Sequence, residues 1–296
     1  MTLQQLRQVI TIADSGSMNE AAKKLFISQP GLSATVKELE QEIGFNLFVR
    51  SNRGIIITPE GEEFLGYARQ VDEQYRLLEN LYVEKKSKKK FSVSMQHYSF
   101  AVKAFVEMVK QTGMDEYEFA VHETRTWEVI ENVKFFKSEM GVLYLNDYNE
   151  QVMRKIFKEN GLEFTELFQC ETYVYLWGGH PLADRPRISM EELQDYPCLA
   201  FDQGKNGAFY FAEEMKSTYD YKQIIHANDR ATLLNLMIGL NAYTLCSGII
   251  CEELNGSDYK AVPLVETEKM RIGYIKRKDS NISPIGRIYI RELEAY

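Results

Sequence analysis

The chain has 296 residues, 45% apolar and 26% charged, with a formal net charge of −8. That composition leaves room for two or three domains and excludes a disordered or fibrous chain. Charge is uneven: residues 1–90 carry 13 basic and 12 acidic residues and the remainder 22 and 31, so only the first part can approach a polyanion without strong repulsion.

The first predicted element is a helix over residues 3–14, with Leu3, Leu6, Val9, Ile10 and Ala13 on one face. Residues 17–43 follow as two short helices around a tight corner. Ser17 and Glu20 have the spacing of a capping box, and Ala21 and Ala22 let a neighbouring helix come close. Ser28 is placed to cap the second helix, with Pro30 in its first turn. Leu32, Val36, Leu39 and Ile43 form one buried stripe, while Pro30, Ser33, Ala34, Lys37 and Gln41 face outward. Such a face suits the reading helix of a helix-turn-helix, although a plain helical hairpin has the same pattern. Leu47–Val49 and Ile55–Ile57 then read as two short strands around Ser51–Gly54, with Arg50 and Arg53 at the tip. A hairpin bearing arginines beside a reading helix is a wing, suited to phosphates or a narrow minor groove.

In order and spacing, the blocks SMNEAAKKL, SQPGLS, KELEQEIGFNLFVR and TPEG resemble the N-terminal domain of the LysR-type transcriptional regulators. One departure is Ala34, where the family often has a basic residue. The resemblance implies DNA contacts from Ser28, Gln29, Pro30, Ser33, Thr35, Lys37, Arg50 and Arg53, with double-stranded promoter DNA as the partner.

Thr58 and Pro59 open a long helix on which Phe64, Ala68, Val71, Tyr75, Leu78 and Tyr82 recur with a 3.5-residue period. The spacing predicts a seam along which two copies pair; the alternative is packing against the chain's own second domain. KKSKKK, residues 85–90, reads as a solvated hinge. Strands are expected at 91–95, 118–123 and 141–146, alternating with helices at 100–110, 126–137 and 150–159, which predicts a parallel sheet. A second set includes strands at 163–169, 172–177, 197–201 and 223–227, a helix over Ala208–Ser217 and an apolar helix over 230–240. A late strand at 270–278 and a final helix at 283–294 are expected to return to the first lobe. GGHPLADRPRISMEELQDYP, AFDQG and NLMIGLNAYTLCSG resemble the effector-binding region of the same family, which is similar to a two-lobed periplasmic binding protein.

The expected architecture is therefore α/β with an N-terminal all-α winged helix-turn-helix. Its divisions are 1–58 for DNA binding, 59–90 for the linker helix and hinge, and 91–296 for the effector domain. Lobe I covers 91–161 and 268–296, and lobe II covers 162–267. Ligands of open α/β sheets sit past the carboxyl ends of strands, against helix N-termini. The corresponding loops place Tyr98, Ser99, Phe100, Thr124, Arg125, Asn146, Phe201, Asp202, Asn228 and Asp229 at the cleft, with Tyr144 and Tyr148 as further aromatic wall and Arg230 as a second clamp for a carboxylate. A small carboxylate or amino acid is the expected effector.

His97, His122, His180 and His226 are scattered, and no nucleophile or phosphate-loop motif is present, so no metal, cofactor or catalytic residue is expected. The chain lacks a secretory pattern, a membrane-length apolar run and any CxxC pair, which points to a cytoplasmic protein with free thiols and no membrane partner. From the resemblance come a homotetramer built from dimers, contact with RNA polymerase, and promoter bending that responds to the effector. An enzyme with a helical accessory domain and a plain ligand-binding protein remain as alternative readings of the two-lobed cleft.

Overall fold

Thr2 and Gln5 exchange hydrogen bonds in a capping box that starts helix α1 (Leu3–Ser15). Gly16 ends it in the left-handed region at φ 62°. This computed structural model describes residues 1–51, 54–82, 88–113, 116–204 and 207–296; the side chains at 50–51, 54 and 80–82 lie outside the description. Two compact units result, Met1–Ser87 and Lys88–Tyr296.

In the first unit, helices α2 (Met18–Lys24) and α3 (Gln29–Ile43) form the expected corner. The expected capping box at Ser17 and Glu20 does not form. Glu20 instead pairs with Lys23 at 2.8 Å, since a cation one turn away competes well with a backbone N–H for the carboxylate. Ser28 does cap α3, accepting from the Gly31 N–H at 3.2 Å. Leu32, Val36 and Leu39 join Val9, Ile12, Ala21, Ala22, Leu47 and Leu65 in one core. Ile12, fully buried, is a core position absent from the predicted face of α1.

Strands β1 (Phe48–Ser51) and β2 (Gly54–Ile57) pair antiparallel, Phe48 opposite Ile57. Glu40 Oε1 accepts from the N–H groups of Leu47 and Phe48 at 2.7 and 3.2 Å, which fastens the base of this hairpin to α3. Helix α4 (Pro59–Tyr82) begins at Thr58, whose hydroxyl accepts from the Gly61 N–H at 2.9 Å.

Arg7 on α1 pairs with Asp72 on α4 at 2.5 Å, and Arg69 pairs with Asp14 at 2.7 Å, so the two helices lie side by side. That contact divides the expected seam. Phe64 packs on the unit's own core and Ala68 is 2% exposed. Val71, Tyr75 and Leu78 are 49%, 40% and 55% exposed, and the side chain of Tyr82 lies outside the described residues.

The second unit begins with β3 (Lys89–Met95), α5 (Ser99–Thr112), β4 (Tyr117–Glu123), α6 (Thr126–Lys134), β5 (Met140–Leu145), α7 (Glu150–Glu159) and β6 (Leu162–Glu171). The second lobe contains β7 (Tyr173–Trp177), β8 (Cys198–Phe201), β9 (Ile224–Ala227), α8 (Arg230–Leu240), β10 (Thr244–Cys246), α9 (Glu252–Asn255) and β11 (Tyr259–Pro263). The chain then returns through β12 (Lys269–Arg277) and α10 (Pro284–Leu293). β3, β4 and β5 are parallel, as expected. The sheet is nevertheless mixed, in the order β4-β3-β5-β12-β6, because β12 enters antiparallel between β5 and β6.

β6 therefore belongs to the first lobe's sheet, and the lobe division moves from residue 162 to Thr172, between β6 and β7. Tyr289 on α10 donates to the Ala101 carbonyl of α5 at 3.1 Å, securing the return. The second lobe holds the antiparallel sheet β10-β7-β11 and the parallel pair β8-β9.

The helix expected over Ala208–Ser217 is absent. A short 3-10 turn at Phe209–Phe211 takes its place, and Lys216 adopts a φ of 59°. Side chains elsewhere satisfy backbone carbonyls of this stretch instead: the Thr126 hydroxyl donates to Phe211 at 2.7 Å, and the Tyr144 hydroxyl lies 3.1 and 3.3 Å from the carbonyls of Ala212 and Glu214.

Candidate functional site

The amino end of α3 is an exposed polar ridge. Pro30, Ala34 and Lys37 are exposed, directly opposite the buried stripe. Gln29 donates to Ser33 Oγ at 3.3 Å, which pre-orders two of the expected base-reading side chains. Ser28 and Thr35 are engaged locally: Ser28 Oγ caps the helix, and the Thr35 hydroxyl donates to the Gly31 carbonyl at 3.1 Å. The Arg50 side chain and all of Arg53 lie outside the described residues. No helix among the described residues is long and apolar enough to cross a membrane.

In the second unit, most of the expected cleft residues gather where the two lobes meet, but their polar groups are largely satisfied by the chain itself. Arg125 follows β4 and donates to the Asp202 carbonyl and carboxylate at 2.9 and 2.8 Å, linking the lobes. The Asp202 carboxyl lies below its ordinary range, first because the Gly204 N–H donates to it and further because of Arg125. Arg230 pairs in the same way with Glu123. Both arginines expected to clamp a ligand are thus matched to acids of this chain. Thr124 bonds to Glu128, and Asp229 caps α8 by accepting from the Thr232 N–H at 2.9 Å. Asn228 is exposed, Asn146 exchanges hydrogen bonds with Asn149 at 2.9 Å, and Tyr148 is 53% exposed, away from any aromatic wall.

Tyr98, Ser99, Phe100 and Phe201 do line a cavity, beside residues the sequence reading left out of the site. His97 stacks on Phe201 with centroids 3.8 Å apart and planes 5° from parallel. Glu213 Oε2 accepts from the His97 N–H at 2.9 Å and lies 2.8 Å from its Nδ1, while Oε1 accepts from Gln203 at 2.9 Å. Gln203 in turn accepts from the Thr126 N–H at 3.1 Å, and Gln96 holds the Thr126 hydroxyl at 2.6 Å. Tyr98 donates to Gln96 at 2.9 Å, and burial holds its phenol well above the ordinary range.

Beside Glu213, Glu214 Oε1 accepts from the Phe201 N–H at 2.8 Å. Burial, with the adjacent Glu213 charge, pushes its carboxyl up to about 8. In sequence, FAEEM reads as part of the helix expected over Ala208–Ser217. Nothing local distinguishes it from a segment that folds inward.

Two family models match the chain. One is described as a bacterial regulatory helix-turn-helix protein of the lysR family, over residues 3–62, and the other as the LysR substrate binding domain, over residues 120–295. The chain is 22% identical over 278 residues to the HTH-type transcriptional regulator YvbU of Bacillus subtilis, covering 89% of this chain and 91% of that one. It is 39% identical over 82 residues to YkuM of the same organism, covering 27% and 28% of the two chains. Among solved structures, full-length OxyR from Pseudomonas aeruginosa, a cysteine-to-aspartate variant, is similar in fold, with a TM-score of 0.66 at 19% identity over 99% of this chain and 94% of that one. CbnR, solved with its target DNA, has a TM-score of 0.63 at 19% identity over 100% and 99%.

Proposed function

The chain belongs to the LysR family of bacterial transcriptional regulators, and from that premise we propose how it reads DNA and senses an effector. It is a DNA-binding regulator with an effector-binding domain; family members are regulators rather than enzymes, so the enzyme alternative falls.

On our reading α3 enters the major groove. Gln29, Pro30 and Ser33 meet base edges, Lys37 meets phosphate, and the wing arginines Arg50 and Arg53 reach the backbone or minor groove. The observation that carries this is the two-sidedness of α3: a ridge from Pro30 to Lys37 open to solvent above a fully packed Leu32, Val36 and Leu39. Val71, Tyr75 and Leu78 form the part of α4 left exposed to pair with a second copy, giving a dimer and, through the effector domains, a tetramer that can engage RNA polymerase.

The lobe cleft receives a small effector, and effector binding alters the separation of the DNA heads and the bend they impose. Of the two expected effector classes, an amino acid keeps an ammonium group that suits this cleft, whereas a plain carboxylate faces Glu213. Selection of bound sequences from random duplex DNA, followed by salt titration of the best site, tests the reading. A preferred sequence whose affinity falls steeply with salt supports it. Binding without sequence preference refutes it.

A further inference from the structure

The residues Phe211–Met215 turn into the cleft and bury two acids: Glu213 is 6% exposed and Glu214 is 7% exposed. Buried carboxylates are costly unless something compensates them. Both line a cavity of about 80 Å³ whose apolar walls include Phe100, Leu233, Leu245 and Met270. The one arginine on that lining, Arg230, has its guanidinium already paired with Glu123, and His97 is bonded to Glu213.

Thr244 is a second, independent sign. It lines the same cavity, is 6% exposed, and its Oγ1 has no hydrogen-bond partner among the described residues. A buried hydroxyl left without a partner is unfavourable unless a ligand supplies one. An incoming anion would meet Glu213 already accepting from His97, at the N–H just ahead of α5 where an anion is otherwise welcome.

We propose that this cavity is a receptor for a small amphipathic amine. Its protonated amino group sits against Glu214 and Glu213, its apolar body lies along Phe100, Leu233, Leu245 and Met270, and a polar substituent, where present, answers Thr244 Oγ1. The inference rests on reading the cleft as the effector site. Glu214, with its carboxyl near 8, keeps its proton at neutral pH; an arriving ammonium lowers that value, the proton passes to bulk water, and the cation is held by the acid pair.

The test uses the full chain and three probes of equal length: n-hexylamine, hexanoate and hexanol. Calorimetric titration and thermal melting should show saturable binding of hexylamine. Hexanoate and hexanol should bind about tenfold or more weakly, the difference expected of one charge-assisted hydrogen bond. Glu214→Gln should weaken hexylamine by about tenfold while the protein melts no lower than the parent at pH 8, which separates lost binding from lost folding. The proposal is overturned if hexanoate binds as tightly as hexylamine, if Glu214→Gln binds hexylamine undiminished, or if hexylamine does not bind. Footprinting of the selected DNA site separates the underlying reading. Hexylamine that binds without altering the footprint leaves the amine site standing and removes the effector role; hexanoate that alters it does the reverse.

Discussion

Replacing Glu214 by glutamine should make the effector unit more stable at pH 8 and leave its stability nearly flat where the parent's falls. The carboxyl moves from an ordinary 4.5 in the unfolded chain to about 8 in the folded one, because burial and the Glu213 charge both disfavour ionisation. The folded state therefore holds a proton that the unfolded state has released at any pH between those two values. Stability from this group is full below 4.5, is lost progressively as pH rises, and is gone above 8.

At about 1.4 kcal/mol per pH unit, that span is worth up to about 5 kcal/mol. Glutamine keeps the oxygen that accepts from the Phe201 N–H and never ionises, so it escapes the loss. Urea unfolding at pH 5, 6, 7 and 8, followed by tryptophan fluorescence, reads this unit alone, since Trp127 and Trp177 both lie in it. The difference between variant and parent should widen steadily with pH. Parallel curves across the range would mean that Glu214 is not a buried, protonated acid, and the electrostatic account of the cleft would fail with it.

Three further outcomes follow from the first unit. Val71→Lys with Leu78→Lys should abolish dimers of a 1–87 fragment in sedimentation, because about 1 kcal/mol of burial per residue per copy is about 4 kcal/mol for the pair, or about a thousandfold in dissociation constant. The fold should persist by circular dichroism, since both side chains are about half exposed. Lys37→Ala should weaken DNA binding across all sequences and reduce the salt slope by about one, whereas Gln29→Ala and Ser33→Ala should change which sequences are selected; an unchanged selection profile would rule out α3 as the reader. Gly61→Ala should destabilise the unit by about 1–3 kcal/mol in thermal melts, as its Cβ would lie 2.4 Å from the Leu47 carbonyl oxygen; an unchanged melting temperature would show that the hairpin base can move aside.

Much of this was legible from the chain alone. The period of Leu32, Val36 and Leu39, the cap at Ser28 and the apolar runs at Leu47–Val49 and Ile55–Ile57 are local signals, and they determined α3, its outward face and the strand pair that follows it. The strand and helix alternation from residue 91 and the return of the last two elements to the first lobe were likewise readable, because a strand is marked by its own apolar run wherever it pairs. Tertiary packing decided what depends on partners distant in sequence. Whether Ala68 faces α1 or a second copy turns on Arg7, Asp72 and the lie of α1 against α4. The direction of β12, and with it the place of β6, turns on pairing across more than a hundred residues. Above all, Glu213 and Glu214 lie in a stretch expected as a helix and are drawn inward by donors from other parts of the chain, the His97, Gln203 and Phe201 N–H groups. The Thr126 and Tyr144 hydroxyls take the place of a helix's own donors at the carbonyls of this stretch, and a local pattern cannot register a competitor that it does not contain.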